Sequence, residues 1–131
     1  MRITKHFTRE ELQCKCGCEG MKFSSKGVEV LEELREDFGH SIVINSGYRC
    51  PEHNNKVSST GLTGPHTITK SDNITVDIKI MGVLAERLMA TAVRQGKWTG
   101  FGFKQNGLGS GRFIHLDRLA VSETRPRIWT Y

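Results

Sequence analysis

Along ITVDIKI, residues 74–80, apolar and polar side chains alternate without a break. Ile74, Val76, Ile78 and Ile80 fall on one face and Thr75, Asp77 and Lys79 on the other, which is the two-residue period of a half-buried strand. A different period governs residues 24–40, SSKGVEVLEELREDFGH. There Val30, Leu31, Leu34 and Phe38 recur at helical spacing, charges fill the remaining positions, and Gly39 supplies a C-terminal stop. Residues 82–96 repeat the helical pattern with Leu84, Leu88 and Ala92 on one stripe. Near the start, Thr8 stands three residues before Glu11, the spacing of a capping box, so FTREEL predicts a short helix that the glycines of CKCGCEG bring to a close.

Three further runs read as strands. SIVIN, residues 41–45, is short and β-branched and predicts a buried strand. TGFGF and RFIHLD, residues 99–103 and 112–117, predict two strands joined by the turn KQNGLGSG. In the second of these, Ile114 and Leu116 point one way, and Phe113, His115 and Asp117 the other. Residues 46–73 are polar and rich in Gly, Ser, Thr and Asn, and they read as one long loop. A loop of that length inside a compact domain is usually functional. Interspersed helices and strands with late hairpin-like joins predict an α+β fold, a small, mainly antiparallel sheet flanked by helices. The length of 131 residues fits one domain, 1–131.

Composition narrows the class. Hydrophobic residues make up 37% and charged residues 25%, the balance of an ordinary globular chain with a real core. No stretch approaches the ~20 apolar residues of a membrane span. MRITKHFTREEL lacks an apolar signal core, so the expectation is a chain cytoplasmic as synthesised that reaches outer targets by lysis or within a larger assembly. The net charge of +5 favours polyanions, but the basic residues are scattered and match no nucleic-acid motif. Cys14, Cys16 and Cys18 crowd together in CKCGC while Cys50 stands apart. Disulfides are not expected in the cytoplasm. Zinc sites usually pair ligands at wider spacing, and a fourth ligand would have to be Cys50 or a histidine such as His6. The reading preferred from sequence is unbonded or occasionally oxidised thiols in a tight loop.

The chemistry concentrates in His66, Asp77 and His115. Two imidazoles and a carboxylate make a catalytic zinc set that leaves a fourth position for water. Around them, in order, stand SGYRCPEHN (46–54), GPH (64–66), VDI (76–78), FIHLD (113–117) and RPRIW (125–129). This ordered set resembles the zinc D-alanyl-D-alanine carboxypeptidase and murein endopeptidase family, whose wider fold group includes the lysostaphin-type peptidases and the hedgehog signalling domain. HFTREELQC, LEELRE and INSGYR resemble its phage and prophage members, and the likeness covers nearly the whole chain. The resemblance implies a hedgehog/D-Ala-D-Ala-peptidase-like fold and one catalytic Zn2+ held by His66, Asp77 and His115. It makes Arg49 the substrate-binding and oxyanion-stabilising arginine, a role suited to a fixed guanidinium fork. It further implies hydrolysis of peptidoglycan stem or cross-link peptides by a phage-type lysin or tail-associated enzyme. The expected partner is a wall peptide, with no membrane, no nucleic acid and a monomeric chain.

The match also departs from the family. His66 and Asp77 lie eleven positions apart, wider than the family pattern, which an insertion within TITKSDN explains; Asp72 is then the alternative ligand. Asp77 is preferred because a strand holds a ligand more firmly than a loop. Some relatives carry an acid three residues before the last histidine, where this chain has Arg112. Asp117 is the nearest acid to His115 and stands either as general base or as a partner orienting the imidazole. His53 is another candidate proton carrier. Arg49 has a rival reading as a structural salt bridge with Glu52 or Asp117. Ser46, Tyr48 and Asn54 are expected to shape the Arg49 loop, and Tyr48 and Asn54 also to face the substrate. Trp98 and Trp129 read as core or rim packing. Three functions stay open: a zinc peptidase, a non-catalytic wall-binding or structural phage module that keeps the fold, and a small zinc-knuckle nucleic-acid binder.

Overall fold

The structure, a computed structural model, describes residues 1–131. A five-stranded mixed sheet is flanked by four helices, an α+β architecture. Helix α1 (Arg9–Leu12) begins with the Thr8/Glu11 capping box that its sequence predicts. Helix α2 (Ser25–Phe38) is capped by the Ser24 side chain and ends at Gly39 in the left-handed region, which glycine enters without strain. Strand β1 (Val43–Ser46) follows, then α3 (Pro51–Val57), β2 (Thr75–Lys79), α4 (Val83–Gln95), β3 (Gly100–Lys104), β4 (Phe113–Asp117) and β5 (Arg127–Thr130).

The strand order is β1-β2-β4-β3-β5. All neighbours run antiparallel except β3 and β5, which are parallel. One apolar face of the sheet, with Ile74 just before β2, Val76, Ile78, Ile114 and Leu116, joins a core of 21 buried residues. Val30, Leu31 and Leu34 of α2 and Ala85, Leu88 and Ala92 of α4 complete its centre. Each such large aliphatic side chain taken out of water stabilises the fold by roughly 1.5–3 kcal/mol. The opposite face of β2 and β4 is where the polar side chains gather.

Four sequence expectations change. SIVIN forms a strand, but an edge strand with no partner beyond β1, so Val43 is 54% exposed and only Ile42 before it is buried. Residues 46–73 are not one loop: they contain α3 and two short 3-10 turns, Pro65–Thr67 and Lys70–Asp72. On α4 the buried stripe is Ala85, Leu88, Thr91 and Ala92, and Leu84 lies outside it at 40% exposure. Strand β5 was not read from sequence at all; it extends the sheet beyond β3.

Candidate functional site

Asp77 of β2 and His115 of β4 are direct cross-strand partners, as are His115 and Gly102 of β3, and Gly102 and Trp129 of β5. Residues opposite one another share a sheet face, so one row crosses four strands on the polar side. His66 joins this row from outside the sheet, carried by the turn Pro65–Thr67. Its Nε2 lies 3.3 Å from Asp77 Oδ2, and His115 Nδ1 lies 3.0 Å from Asp77 Oδ1. One donor atom from each of the three lies within 4.8 Å of the other two.

The far nitrogen of each imidazole is already committed. His66 Nδ1 donates to the Gly47 carbonyl at 2.7 Å, and His115 Nε2 donates to Asp117 Oδ2 at 2.8 Å. In neutral imidazoles these bonds leave lone pairs on His66 Nε2 and His115 Nδ1, both facing the Asp77 carboxylate. Three electron-pair donors therefore converge. Tetrahedral zinc with N and O ligands at ~2.0–2.2 Å sets its ligand atoms ~3.3 Å apart, and His66 Nε2 and Asp77 Oδ2 lie 3.3 Å apart. The donor set therefore fits a zinc ion. The same crowding shapes protonation. Burial works to raise the Asp77 pKa, yet hydrogen bonds with His115 and His66 hold it well below the ordinary carboxylate range. Burial works to lower the His115 pKa, but hydrogen bonds to Asp117 and Asp77 raise it above the ordinary histidine value.

Asp72, the alternative ligand, lies apart from this cluster in the exposed turn Lys70–Asp72, where its carbonyl accepts a bond from Arg118. That turn occupies part of the stretch between His66 and Asp77, and the strand beyond it places Asp77 in the row.

Arg49 is held from several sides. Its Nε donates to Ser46 Oγ at 3.0 Å and its Nη1 to Asn54 Oδ1 at 3.1 Å, while Nη2 reaches within 3.6 Å of Asp77 Oδ2. Its main-chain N–H donates to the His66 carbonyl at 3.0 Å. The salt-bridge rivals Glu52 and Asp117 are not its partners; the carboxylate it faces is Asp77. Gly47 permits the loop to lie where it does: a Cβ there would meet the Leu12 carbonyl oxygen at 2.6 Å.

Asp117 is fully buried, and Arg125 grips it with two bonds, Nε to Oδ1 at 3.0 Å and Nη2 to Oδ2 at 2.8 Å. Burial works to raise its pKa, but the bonds from His115 and Arg125 bring it down to about 2. Gly100 makes room for it, since a Cβ on Gly100 would sit 2.3 Å from the carboxylate. Asp117 thus stands behind His115, with both oxygens engaged. Sequence reading missed Arg125, whose pairing depends on the chain returning after β4.

A cleft of about 450 Å³ opens over the cluster, taking in Ser58, Ser59 and Thr60 after α3, and Phe113, Trp129 and Tyr131. Asp77 is the one carboxylate in its lining. Trp129 tilts against the His115 ring, centroids 5.2 Å apart, which matches rim packing; Trp98 is core. Tyr48 and Asn54, expected to face substrate, do not line the cleft. Tyr48 is 4% exposed and packs edge-on against Phe23, and Asn54 is 1% exposed, bonded to Arg49, Thr60 and the Gly61 carbonyl. Both shape the loop from below. His53 lies on α3, outside the lining.

A family model described as Peptidase M15 matches residues 5–117. No curated protein and no solved structure matches the chain.

Proposed function

The chain belongs to the peptidase M15 family, zinc-dependent peptidases, and from that premise we propose that residues 1–131 work as one zinc peptidase-like domain cutting D-amino-acid amide bonds in peptidoglycan stem or cross-link peptides. The observation that carries this reading is the convergence of His66, Asp77 and His115 beside Arg49 at the floor of a cleft. His66 Nε2, His115 Nδ1 and the Asp77 carboxylate would hold the zinc ion. When bound, zinc polarises the scissile carbonyl and makes water a nucleophile near neutral pH.

The remaining steps belong to the chain's own side chains. Arg49 donates from its Nη2, the guanidinium nitrogen that faces the cluster, to the carbonyl oxygen as negative charge develops there, or to a substrate carboxylate. Its bonds to Ser46 and Asn54 fix that nitrogen in advance, so little reorganisation is needed. Asp117 acts as a positioning residue: it holds the His115 ring by Nε2 and keeps Nδ1 directed at the cluster. Trp129 backs the same ring and, with Phe113, gives the cleft an apolar wall for peptide side chains. The charge of +5 favours approach to an anionic wall. No helix is long and apolar enough to cross a membrane. The proposed setting is a phage-type lysin, made in the cytoplasm and acting as a monomer after lysis or from a particle.

The test is digestion of purified sacculi with and without a chelator, the products identified by mass spectrometry. Release of free D-alanine marks a carboxypeptidase, and loss of cross-linked dimers marks an endopeptidase. No chelator-sensitive product from either bond would sink the proposal. One observation favours a second reading, a wall-binding module without turnover: the cleft lining holds no carboxylate beyond Asp77 to serve as general base. That reading requires sacculus binding that persists in His115→Ala with no hydrolysis by the wild type.

A further inference from the structure

Outside the cleft, four sulfur atoms meet. We propose that Cys14, Cys16, Cys18 and Cys50 form a second metal site, a four-thiolate structural centre for zinc or a similarly thiophilic divalent cation.

The sulfur positions carry the argument. All four Sγ atoms lie within 4.8 Å of one another. Cys14 Sγ lies 3.5 Å from Cys16 Sγ and 3.8 Å from Cys50 Sγ, and Cys16 Sγ lies 3.7 Å from Cys50 Sγ. A tetrahedron with Zn–S bonds of ~2.3 Å has edges of ~3.8 Å. A disulfide needs its sulfurs at ~2.05 Å, and all four cysteines are free. The fold has thus gathered three sulfurs at the edge length of a zinc tetrahedron and a fourth, Cys18 Sγ, within 4.8 Å of each, although Cys14 and Cys50 stand 36 positions apart.

The main chain supplies a second line. Backbone N–H groups point at three of the four sulfurs: Cys50 to Cys14, Gly20 to Cys18 and His53 to Cys50, each at 3.4 Å. Such donors favour thiolate over thiol, and thiolate is the ligand form. Gly17 at φ 98° and Glu19 at φ 59° curl CKCGCE so that three alternate cysteines turn inward instead of running along a strand. Four thiolates this close would repel one another, and a divalent cation among them removes the repulsion. With sulfur at every corner no position is left for water, so the centre is structural. It fastens residues 14–18 to Cys50, the neighbour of Arg49. The Tyr48 N–H to the Leu12 carbonyl, 2.8 Å, fastens the same two segments by hydrogen bond.

The test counts and types the metal in three proteins made under reducing conditions: wild type, His66→Ala/His115→Ala and Cys16→Ser/Cys18→Ser. Cys16 and Cys18 are exposed, so the serine pair leaves the apolar core alone. Expected are about two zinc ions per wild-type chain and about one in each double variant, given a four-sulfur and a three-ligand site. With cobalt replacing zinc, the histidine variant keeps sulfur-to-cobalt charge-transfer bands in the near ultraviolet and the serine variant loses them. In the histidine variant, the thiols react with a disulfide reagent only after a chelator is added. Because that variant retains all four cysteines, the readout stands even where the serine variant folds poorly. Free reaction of all four thiols without chelator, absence of charge-transfer bands, or disulfides found by mass spectrometry would overturn the proposal. None of these readouts depends on whether the cleft hydrolyses anything.

Discussion

The histidine–aspartate cluster and the four-cysteine cluster flank the same short segment, Gly47–Cys50, and they are supported in opposite ways. Asp77 and His115 sit on β2 and β4, inner strands of the sheet with a partner on each side. Every back nitrogen of the histidine pair is tied to an acceptor. The cysteines sit on a curled loop and at the start of α3, with weak N–H···S bonds as their main local support. Two of the three residues of the first cluster stand on strands packed on both sides, whereas the sulfurs of the second have few bonds of their own to hold them and gain more from a bound ion. The first arrangement suits chemistry, and the second suits holding a fold together.

The sharpest way to break this contrast is His115→Ala. It is expected to reduce hydrolysis of wall peptide to background and remove the metal of the cleft, while the thermal midpoint moves by only a few degrees, read by activity assay and circular dichroism. Collapse of the fold instead would show that the sheet leans on the cluster. Next, Arg49→Ala is expected to lower kcat by about 10²–10³-fold, the usual loss of one oxyanion donor, with the metal content unchanged. Arg49→Lys is not expected to restore it, since an ammonium cannot reach Ser46, Asn54 and the cleft together. Asp117→Asn is expected to weaken metal affinity by about 10–100-fold, measured by competition with a chelator, because an amide holds the His115 ring less firmly.

Asp117 also offers a pH test on chelated protein. Its folded pKa of about 2 is depressed. Its contribution to stability is therefore complete above the ordinary aspartate value of ~3.9 and is lost as pH falls towards 2. Wild type should lose stability over that window in denaturant titrations, and Asp117→Asn should lose less. On the loop side, Cys16→Ser/Cys18→Ser is expected to lower the thermal midpoint of metal-replete protein by on the order of 10 °C, the effect of losing a bound ion. An equal midpoint in both proteins would erase the contrast. The smallest effect is reserved for the exposed pair Lys97–Glu33, which belongs to neither cluster. Glu33→Gln should change stability by less than ~1 kcal/mol and activity not at all.

What could be read in the sequence follows the same division. Helix α2 and strands β2 and β4 were legible because their apolar positions repeat with one period and all face one core. Strand β1 was misjudged because a β-branched run looks the same at an edge as in the middle. On α4, positions 84, 88 and 92 and positions 85, 88 and 92 are equally good stripes, and only packing against α2 and the sheet chooses between them. Strand β5 had no alternation to betray it; Ile128 points to solvent, and pairing with β3 alone makes it a strand. At the site, the motif order led to His66, Asp77, His115 and Arg49. Tyr48 and Asn54 were misplaced because a polar phrase does not reveal which of its members turn inward. The Asp117–Arg125 pair is a tertiary fact with no local trace, and from sequence Cys50 was only one of two candidates to join the CKCGC loop, a choice that the fold makes.

One small feature has a large reach. The Gly47–Arg49 strip and His66 are laced together twice, by Arg49 N–H to the His66 carbonyl and by His66 Nδ1 to the Gly47 carbonyl. Guanidinium and imidazole therefore behave like the two jaws of a caliper locked at one setting. A cleft with locked jaws selects by gauge: what binds is whatever spans the gap unbent, and a guest that must flex to fit gains nothing from the protein flexing in return. Rigid two-headed molecules, one head for the metal cluster and one for the arginine, should outbind floppy ones of equal chemistry.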